Sequence, residues 1–176
     1  MAVREIVVFP DDRLREPTTE VTEFNDELKA LIKDMFDSMY HYDGIGLAAP
    51  QIGVNKKMVV IDIPEVDEVT QQEKSHQIVL INPVIVEKKG TVDSEEGCLS
   101  VPDYRDKVKR AEWVKVKALD ADGVEQVYES DGLFAICMQH EIDHLEGHLF
   151  VDYLSSLKRE KVKKKMAQWR KEHQQD

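Results

Sequence analysis

The sequence predicts an α+β fold in which mostly antiparallel sheets surround a central helix, with further helices near the N-terminus and at the C-terminus. Apolar residues recur at helical spacing in two well-separated segments, and short β-branched runs divided by turn residues lie between them. Because the strands follow one another instead of alternating with helices, a doubly wound parallel sheet is not expected. The 176 residues, 41% hydrophobic and 34% charged, are enough for one soluble globular domain.

The first predicted helix spans residues 25–42. Asn25 or Thr22 can cap its start, and Gly44 is expected to end it. Its apolar residues fall at positions i, i+3, i+4, i+7, i+8 and i+11, so they form one stripe that faces a core. The stripe consists of Leu28, Leu31, Ile32, Met35, Phe36 and Met39.

The middle of the chain is predicted to form strands, because β-branched apolar runs are separated there by turn residues. Asn82-Pro83 is expected to separate two of the strands, and Asp120-Ala121-Asp122-Gly123 to turn a hairpin. Residues 66–76 are polar and are expected to form an exposed loop, and residues 94–102 a second loop-like segment. The predicted strands span residues 58–63, 78–81, 84–87, 113–118 and 124–128.

Two further helices are predicted after the strands. The second helix spans residues 133–146, with Ser130 or Asp131 as its N-cap and Gly147 as its stop. The third helix spans residues 156–171 and has only a thin apolar stripe. The second helix is therefore the one expected at the centre of the fold.

Charge is spread unevenly along the chain, whose formal net charge is −11. Residues 155–176 hold eight Lys or Arg and three Asp or Glu, a net charge of +5, while the other 154 residues hold 16 basic and 32 acidic side chains, a net charge of −16. This asymmetry is typical of a basic segment that binds a polyanion, although a solvated terminal helix has the same composition.

The composition excludes a membrane-spanning protein and a disulfide-rich one. No apolar run approaches the roughly 20 residues that a membrane helix needs, and the first residues have too short an apolar stretch for a signal peptide. Cys98 and Cys137 are too few for a disulfide framework. We therefore expect a cytoplasmic protein with no membrane partner, whose thiols are free to bind metal.

The strongest chemical signal is the run His140-Glu141-Ile142-Asp143-His144. Residues four apart lie one turn apart on the same face of a helix, so the two imidazoles can hold one cation. Glu141 is rotated by about 100° from His140 and lies beside the cation, where a general base for metal-assisted hydrolysis would stand. The alternative, a charged helix with two surface histidines, is less consistent with the apolar residues of the same helix.

A catalytic metal usually has three protein ligands and one open position, so a third ligand is needed. His148 fails because the extended zinc-protease pattern lacks its last histidine here, and Glu146 points away from the His140 face. Cys137 is too short for the roughly 7 Å along the helix axis that separate it from the metal. Cys98 remains, beside Gly97, and one Cys with two His suits Zn²⁺ or Fe²⁺.

Three segments of the sequence together resemble the signatures of the peptide deformylases. They are residues 44–51 (Gly-Ile-Gly-Leu-Ala-Ala-Pro-Gln), residues 96–100 (Glu-Gly-Cys-Leu-Ser) and residues 139–144 (Gln-His-Glu-Ile-Asp-His). The order of the three segments matches, and the resemblance covers nearly the whole chain. It implies a metal-dependent amide hydrolase that removes the N-formyl group from the N-terminal formyl-methionine of newly made proteins and releases formate.

The resemblance also assigns roles to the motif residues. It implies Cys98, His140 and His144 as the metal ligands, in agreement with the argument from reach. Glu141 would take a proton from the attacking water and later give it to the leaving amine. The side-chain amide of Gln51 and the backbone N–H of Leu99 would stabilise the oxyanion.

A substrate-binding set follows from the same resemblance. The backbone of Gly44 and Gly46 would lie along the peptide, and several apolar residues would line the pocket for the methionine side chain. Glu96 and Arg105 are expected to pair at the rim of that pocket. The full set is Gly44, Ile45, Gly46, Glu96, Gly97, Arg105, Leu133, Ile136 and Cys137.

The family typically uses Fe²⁺ and tolerates Ni²⁺, Co²⁺ or Zn²⁺, so one divalent ion per chain is expected. The expected partners are N-formyl-methionyl nascent peptides and the ribosome near its exit tunnel, bound through the basic C-terminal helix, with no DNA partner. Residues 1–155 would form the catalytic domain, and residues 156–176 a basic helix within the same single domain.

Two other functions share parts of the motif pattern. A zinc endopeptidase would use His140, Glu141 and His144 but would need a third ligand further along the chain. A non-catalytic zinc-stabilised binding module would need a fourth ligand, for which only Cys137 is near enough. Release of formate from a formyl-methionyl peptide would distinguish the deformylase activity from both alternatives.

Overall fold

A computed structural model describes residues 2–173, so residues 174–176 of the expected C-terminal segment lie outside the described part. The described residues form three helices and three antiparallel sheets, and the predicted α+β fold is confirmed. The helices are α1 (Asp26–His41), α2 (Gly132–Leu145) and α3 (Ser156–His173). The strands are β1 (Gly46–Ala48), β2 (Met58–Asp62), β3 (Glu65–Val66), β4 (Glu73–Lys74), β5 (Gln77–Lys89), β6 (Val92–Cys98), β7 (Val101–Arg110), β8 (Trp113–Leu119) and β9 (Glu125–Asp131).

The main sheet has five antiparallel strands in the order β1-β2-β5-β8-β9, with helices on both faces. Alternate residues of β2 point to opposite faces. Met58 and Val60 belong to the core cluster of α1, whereas Val59 and Ile61 belong to the core cluster of α2. Because both faces of β2 are covered, its sequence is a continuous apolar run instead of an alternating one.

The helix α1 begins as predicted, because the side chain of Asn25 accepts a hydrogen bond of 3.0 Å from the backbone N–H of Leu28. Its end differs from the prediction. The left-handed residue is Asp43, with φ of 60°, and Gly44 instead donates its N–H to the carbonyl of Met39 at 2.9 Å. Gly44 is thereby fixed at the point where α1 leads into β1.

The predicted break at Asn82-Pro83 is wrong, because β5 runs through both residues. The register with β8 shifts between Ile81 and Val84, so the proline, which has no N–H to donate, lies in a β-bulge. Asn82 adopts a left-handed φ of 51°, and its side chain exchanges two hydrogen bonds of 2.9 Å with the backbone of Val21. Residues 66–76 are exposed as predicted, and they include β4 and the second residue of β3, with which β4 pairs.

The segment 94–102 is a hairpin instead of a loop, because β6 and β7 pair on either side of a turn at Leu99 and Ser100. This hairpin builds a third core with the N-terminal segment and α3. Val162 and Met166 of α3 are fully buried in it. No helix within residues 2–173 combines the length and hydrophobicity needed to cross a bilayer.

Candidate metal and catalytic site

Three potential metal ligands converge where α2 meets the β6–β7 hairpin. His140 and His144 lie one turn apart on α2 and are both buried, and Cys98 ends β6. Their ligand atoms all lie within 4.8 Å of one another, and Sγ of Cys98 is 3.4 Å from Nε2 of His144. A sulfur and a nitrogen bound to one tetrahedral ion are about 3.6 Å apart. The observed separation therefore fits a single bound cation.

A buried ion-pair network holds His140 in place. Nδ1 of His140 is 2.8 Å from Oε1 of Glu96, so Nε2 is the nitrogen left for a metal. Arg110 donates two hydrogen bonds of 2.8 Å to the same carboxylate and a third of 2.6 Å to Asp143. Burial alone would raise the pKa of Glu96, but the hydrogen bonds from Arg110 and His140 outweigh it and lower that pKa to about 2.

The expected pairing of Glu96 with Arg105 is therefore wrong. Arg105 is exposed and donates to the backbone carbonyl of Glu95 at 3.1 Å. Along β7 the residues alternate in burial, and Arg110 shares the inner face with Val108 whereas Arg105 points outward. The period of two along β7 was the signal that could have identified Arg110 from the sequence.

Glu141 and His144 each have a buried polar atom without a partner. Within residues 2–173, no hydrogen bond reaches Oε1 of Glu141 or Nδ1 of His144. Most buried polar groups in proteins are hydrogen-bonded, so the free Oε1 of Glu141, which lies 4.0 Å from Nε2 of His144, indicates a group or solvent molecule beside the ligand atoms. Burial raises the pKa of Glu141 to about 7, which suits a carboxylate that accepts and returns a proton near neutrality.

The charges around the histidines also favour a cation. Burial lowers the pKa of His144 well below its ordinary value and keeps the imidazole in the neutral form that binds metals. Burial acts the same way on His140, but the hydrogen bonds that its ring donates to Cys98 and Glu96 outweigh burial and raise the pKa of His140 well above its ordinary value. Positive charge is therefore stabilised between Cys98 and Glu96.

The side chain of Gln51 points its amide nitrogen toward the same place. Gln51 is buried in the short 3₁₀ helix Ala49–Ile52, and its Oε1 accepts the backbone N–H of Ala48 at 2.9 Å. Because the oxygen is occupied, Nε2 faces Sγ of Cys98 at 3.4 Å and Oγ of Ser100 at 3.2 Å. Gln51 is thus a fixed donor beside the ligands, next to the turn that carries Leu99.

The strand β1 crosses close over α2, and Gly46 makes this approach feasible. A Cβ atom at Gly46 would lie 2.5 Å from Oε2 of Glu141 and 2.9 Å from Sγ of Cys137. A Cβ at Gly44 would meet only the flexible tip of Leu99, at 2.9 Å. Since β1 is an edge strand of the main sheet, one side of its backbone faces the space above the metal ligands.

A cavity of about 1300 Å³ unites the predicted site residues. The exposed apolar side chains of Ile45 and Leu133 line this cavity, together with the buried Cys137. His144 is the one predicted site residue that does not line this cavity, because it lies behind His140 with 1% of its surface exposed. The predicted residues that line it are Gly44, Ile45, Gly46, Gln51, Glu96, Gly97, Cys98, Leu99, Arg105, Leu133, Ile136, Cys137, His140 and Glu141.

The cavity also includes residues that no motif indicated. Its further walls come from the N-terminal segment and from Trp169, Arg170 and His173 of α3. These segments are far apart in sequence, and their approach depends on how the third core assembles. No local pattern in the sequence indicates that these segments meet at the cavity.

Known proteins resemble this chain over almost its whole length. The family model described as Polypeptide deformylase matches residues 3–160 and so ends inside α3. The peptide deformylase of Pseudoalteromonas translucida is 51% identical over 166 residues, which are 94% of this chain and 95% of the relative. That of Tolumonas auensis is 48% identical over the same shares of the two chains.

Solved structures give the same result for the fold. The crystal structure of a peptide deformylase from Legionella pneumophila has a TM-score of 0.87 and 48% identity, covering 97% of this chain and 96% of the other. That of the Ehrlichia chaffeensis peptide deformylase in complex with actinonin has a TM-score of 0.89 and 39% identity, covering 99% of this chain and 100% of the other.

Proposed function

The chain belongs to the polypeptide deformylase family and is a metal-dependent hydrolase that removes the N-formyl group from new polypeptides, and we propose how its residues divide that work. Cys98, His140 and His144 hold the metal, and Glu141 moves the proton. One observation carries the proposal. The unpartnered carboxylate oxygen of Glu141 is buried beside three ligand atoms that lie within 4.8 Å of one another.

The ion we propose is Fe²⁺, with Ni²⁺, Co²⁺ or Zn²⁺ as substitutes. One thiolate and two imidazoles form a borderline-soft donor set that suits these ions. A bound ion supplies a Lewis acid for the formyl oxygen and lowers the pKa of a bound water toward neutrality. The hydrogen bond that Nδ1–H of His140 donates to the carboxylate of Glu96 orients the imidazole and makes it a stronger ligand.

Glu141 acts on protons at both ends of the reaction. Its carboxylate accepts a proton from the attacking water as the C–O bond to the formyl carbon forms. When the C–N bond breaks, the same carboxyl gives that proton to the leaving amine, so the peptide departs as an amine and the formyl group as formate. Burial raises the pKa of Glu141, which favours uptake of the proton by this carboxylate in the first step.

Gln51 and Leu99 stabilise the charge that develops on the formyl oxygen. Nε2 of Gln51 is held toward the site by the bond between Oε1 and Ala48. The backbone N–H of Leu99 is the second donor, in the turn directly after Cys98. Donors that are fixed before the reaction need no reorganisation when the charge appears, which is why such pairs contribute strongly to catalysis.

The methionine side chain occupies the apolar part of the cavity. Ile45, Leu133, Ile136 and Cys137 offer aliphatic and thiol surface, and 54% of Leu133 is exposed without a ligand. Covering that surface with a thioether chain is favourable by the hydrophobic effect. The peptide backbone runs beside Gly44 and Gly46, along the open side of β1, with Gly97 and Arg105 on the hairpin side.

The test is product analysis with a formyl-Met-Ala-Ser peptide and its acetyl counterpart. We expect formate and free Met-Ala-Ser from the first peptide and little reaction with the second, whose acyl group is larger by one methyl. Cleavage within the peptide would favour the zinc endopeptidase. A protein that binds zinc and releases neither product would favour the non-catalytic binding module.

We also propose that α3 carries the enzyme to the ribosome near its exit tunnel, in the cytoplasm, where Cys98 and Cys137 form no disulfide. Residues 155–176 carry a net charge of +5, whereas the rest of the chain carries −16. The acidic body is repelled by RNA, so the basic helix approaches first. We treat α3 as part of the same domain as residues 2–155, because Val162 and Met166 are buried in a shared core.

Deleting α3 would expose that core, so charge reversal is the sharper test of ribosome binding. The double variant Lys161→Glu and Lys164→Glu changes two exposed side chains of α3. A matched control, Lys88→Glu with Lys117→Glu, makes the same charge change on the main sheet. We expect the first variant to co-sediment less with ribosomes and to have a weaker salt dependence of binding. Equal sedimentation of the two variants would refute this role of α3.

A further inference from the structure

The cavity continues beyond the residues that the proposed reaction uses. A drug-sized ligand usually occupies a pocket of about 300–1000 Å³, whereas this cavity measures about 1300 Å³ and reaches α3. A formyl group and one methionine side chain fill only the end at the metal ligands. The other end is lined by Ile6, Val8, Trp169, Arg170 and His173, for which the formyl-methionine has no use.

The end of α3 is held in place against this part of the cavity. The indole of Trp169 stacks on the imidazole of His173, with ring centres 4.3 Å apart and planes 15° apart. The guanidinium of Arg170 donates a hydrogen bond to the backbone carbonyl of Val8. Met166, one turn earlier, is fully buried and anchors the helix. The half-buried side chain of Trp169 is therefore already held in place where it lines the cavity.

The opposite wall is tied directly to the reaction site. Val7 donates its N–H to the carbonyl of Gln51 at 2.7 Å, and Phe9 donates to the carbonyl of Ser100 at 2.8 Å. Val7 and Phe9 are buried, whereas Ile6 and Val8 are half-buried and line the cavity. The N-terminal segment thus links the oxyanion donors to the wall formed by α3.

We propose that Trp169 and Arg170 form a second binding site for the substrate, which takes the nascent chain beyond its third residue. This proposal rests on the proposed function. An extended peptide advances about 3.3 Å per residue, so a chain held at the metal by its formyl group reaches further along the same cavity with each residue. Its side chains contact the indole face, and its backbone carbonyls accept from Arg170.

The chemistry of this wall fits a substrate of variable sequence. An indole offers a large apolar face that accepts many side chains at little cost in conformational entropy. An arginine donor to backbone carbonyls likewise makes no demand on the side chains. A site of this kind adds affinity for any new polypeptide and nothing for a short formylated peptide, which ends before it.

The test compares peptides of two lengths, formyl-Met-Ala-Ser and formyl-Met-Ala-Ser-Leu-Leu-Gly. For the unchanged enzyme we expect kcat/KM to be higher for the six-residue peptide, mainly through a lower KM. Trp169→Ala should reduce the ratio of the two kcat/KM values by roughly 2- to 12-fold, the range expected for one aromatic contact. Trp169→Phe should restore most of the ratio, and Gln168→Ala, on the exposed neighbour, should leave it unchanged.

Two results would overturn the second binding site. Equal kcat/KM for the two peptides with the unchanged enzyme would contradict it without any variant, so a misfolded variant cannot leave the question open. A ratio that survives Trp169→Ala would contradict it as well. Failure of the proposed function looks different, because the unchanged enzyme would then release no formate even from the three-residue peptide.

Discussion

Replacing Gly46 by alanine should disable the enzyme without removing the metal. The added Cβ would lie 2.5 Å from Oε2 of Glu141 and 2.9 Å from Sγ of Cys137, whereas ordinary contacts begin at 3.4 Å. Either the carboxylate or the strand β1 must therefore move by about 0.9 Å. Cys98 and the two histidines are not touched by the new methyl group, so metal binding should persist.

The expected loss of activity follows from that displacement. A misplacement of about 1 Å at a reacting group can cost about 100-fold in rate, so kcat/KM for formyl-Met-Ala-Ser should fall by about this factor. The assay measures released formate, together with the metal content of the purified variant and its thermal unfolding. Unchanged metal content with low activity is the expected combination.

Gly44→Ala is the matched control, because the same methyl group is added two residues earlier. There the new Cβ would meet Cδ1 of Leu99 at 2.9 Å, the far end of a side chain that can rotate. The kcat/KM of Gly44→Ala should fall by roughly 10-fold or less, which corresponds to the cost of one strained rotamer. Full activity of Gly46→Ala, or a greater loss at Gly44 than at Gly46, would refute the assigned position of Glu141 beneath β1.

Four further outcomes are expected. Glu141→Gln should keep its metal but lose about 10²- to 10⁴-fold in kcat, the usual contribution of a general base; loss of the metal would mean that Glu141 is a ligand. Cys98→Ala should purify without metal at neutral pH, whereas Cys137→Ala should retain the metal. The metal content of the two purified variants tests this, and metal in Cys98→Ala would contradict the assignment. The iron form should lose activity in air and the nickel form should persist, since Fe²⁺ beside a thiolate is open to oxidants; equal lifetimes would count against this. The pKa of Glu96 is lowered to about 2 from an ordinary 4.5, so its contribution to the free energy of unfolding should be complete above pH 4.5 and be lost as the pH falls toward 2. The free energy of unfolding in urea should therefore differ less between pH 5 and pH 3 in Glu96→Gln than in the unchanged protein.

Local patterns in the sequence predicted the helices and most strands. The cap at Asn25 and the apolar stripe of α1 depend on neighbours three or four residues apart, so the sequence contains the whole signal. The helical spacing of His140 and His144 likewise predicted two ligands on one face of α2. Cys98 was predicted as the third ligand because Cys137 is too short to reach the metal and because the segment around Cys98 resembles the family signature; that segment is a strand instead of a loop.

Contacts between distant segments could not be predicted in this way. The break expected at Asn82-Pro83 ignored the hydrogen bonds to Val21, which support a bulge within β5. The partner of Glu96 was predicted as Arg105, and only the alternation along β7 selects Arg110 instead. Both errors involve hydrogen bonds between residues that the fold brings together.

Metal dependence of formate release tests the account most directly. Metal-free protein, prepared with a chelator in the absence of air, is titrated with Fe²⁺ while formate release from formyl-Met-Ala-Ser is recorded. The ligand atoms of Cys98, His140 and His144 lie close enough together to hold one ion, so the account predicts that activity rises from near zero and levels off at one equivalent of Fe²⁺ per chain. Formate release that survives complete removal of metal, or that needs two equivalents, would contradict the account.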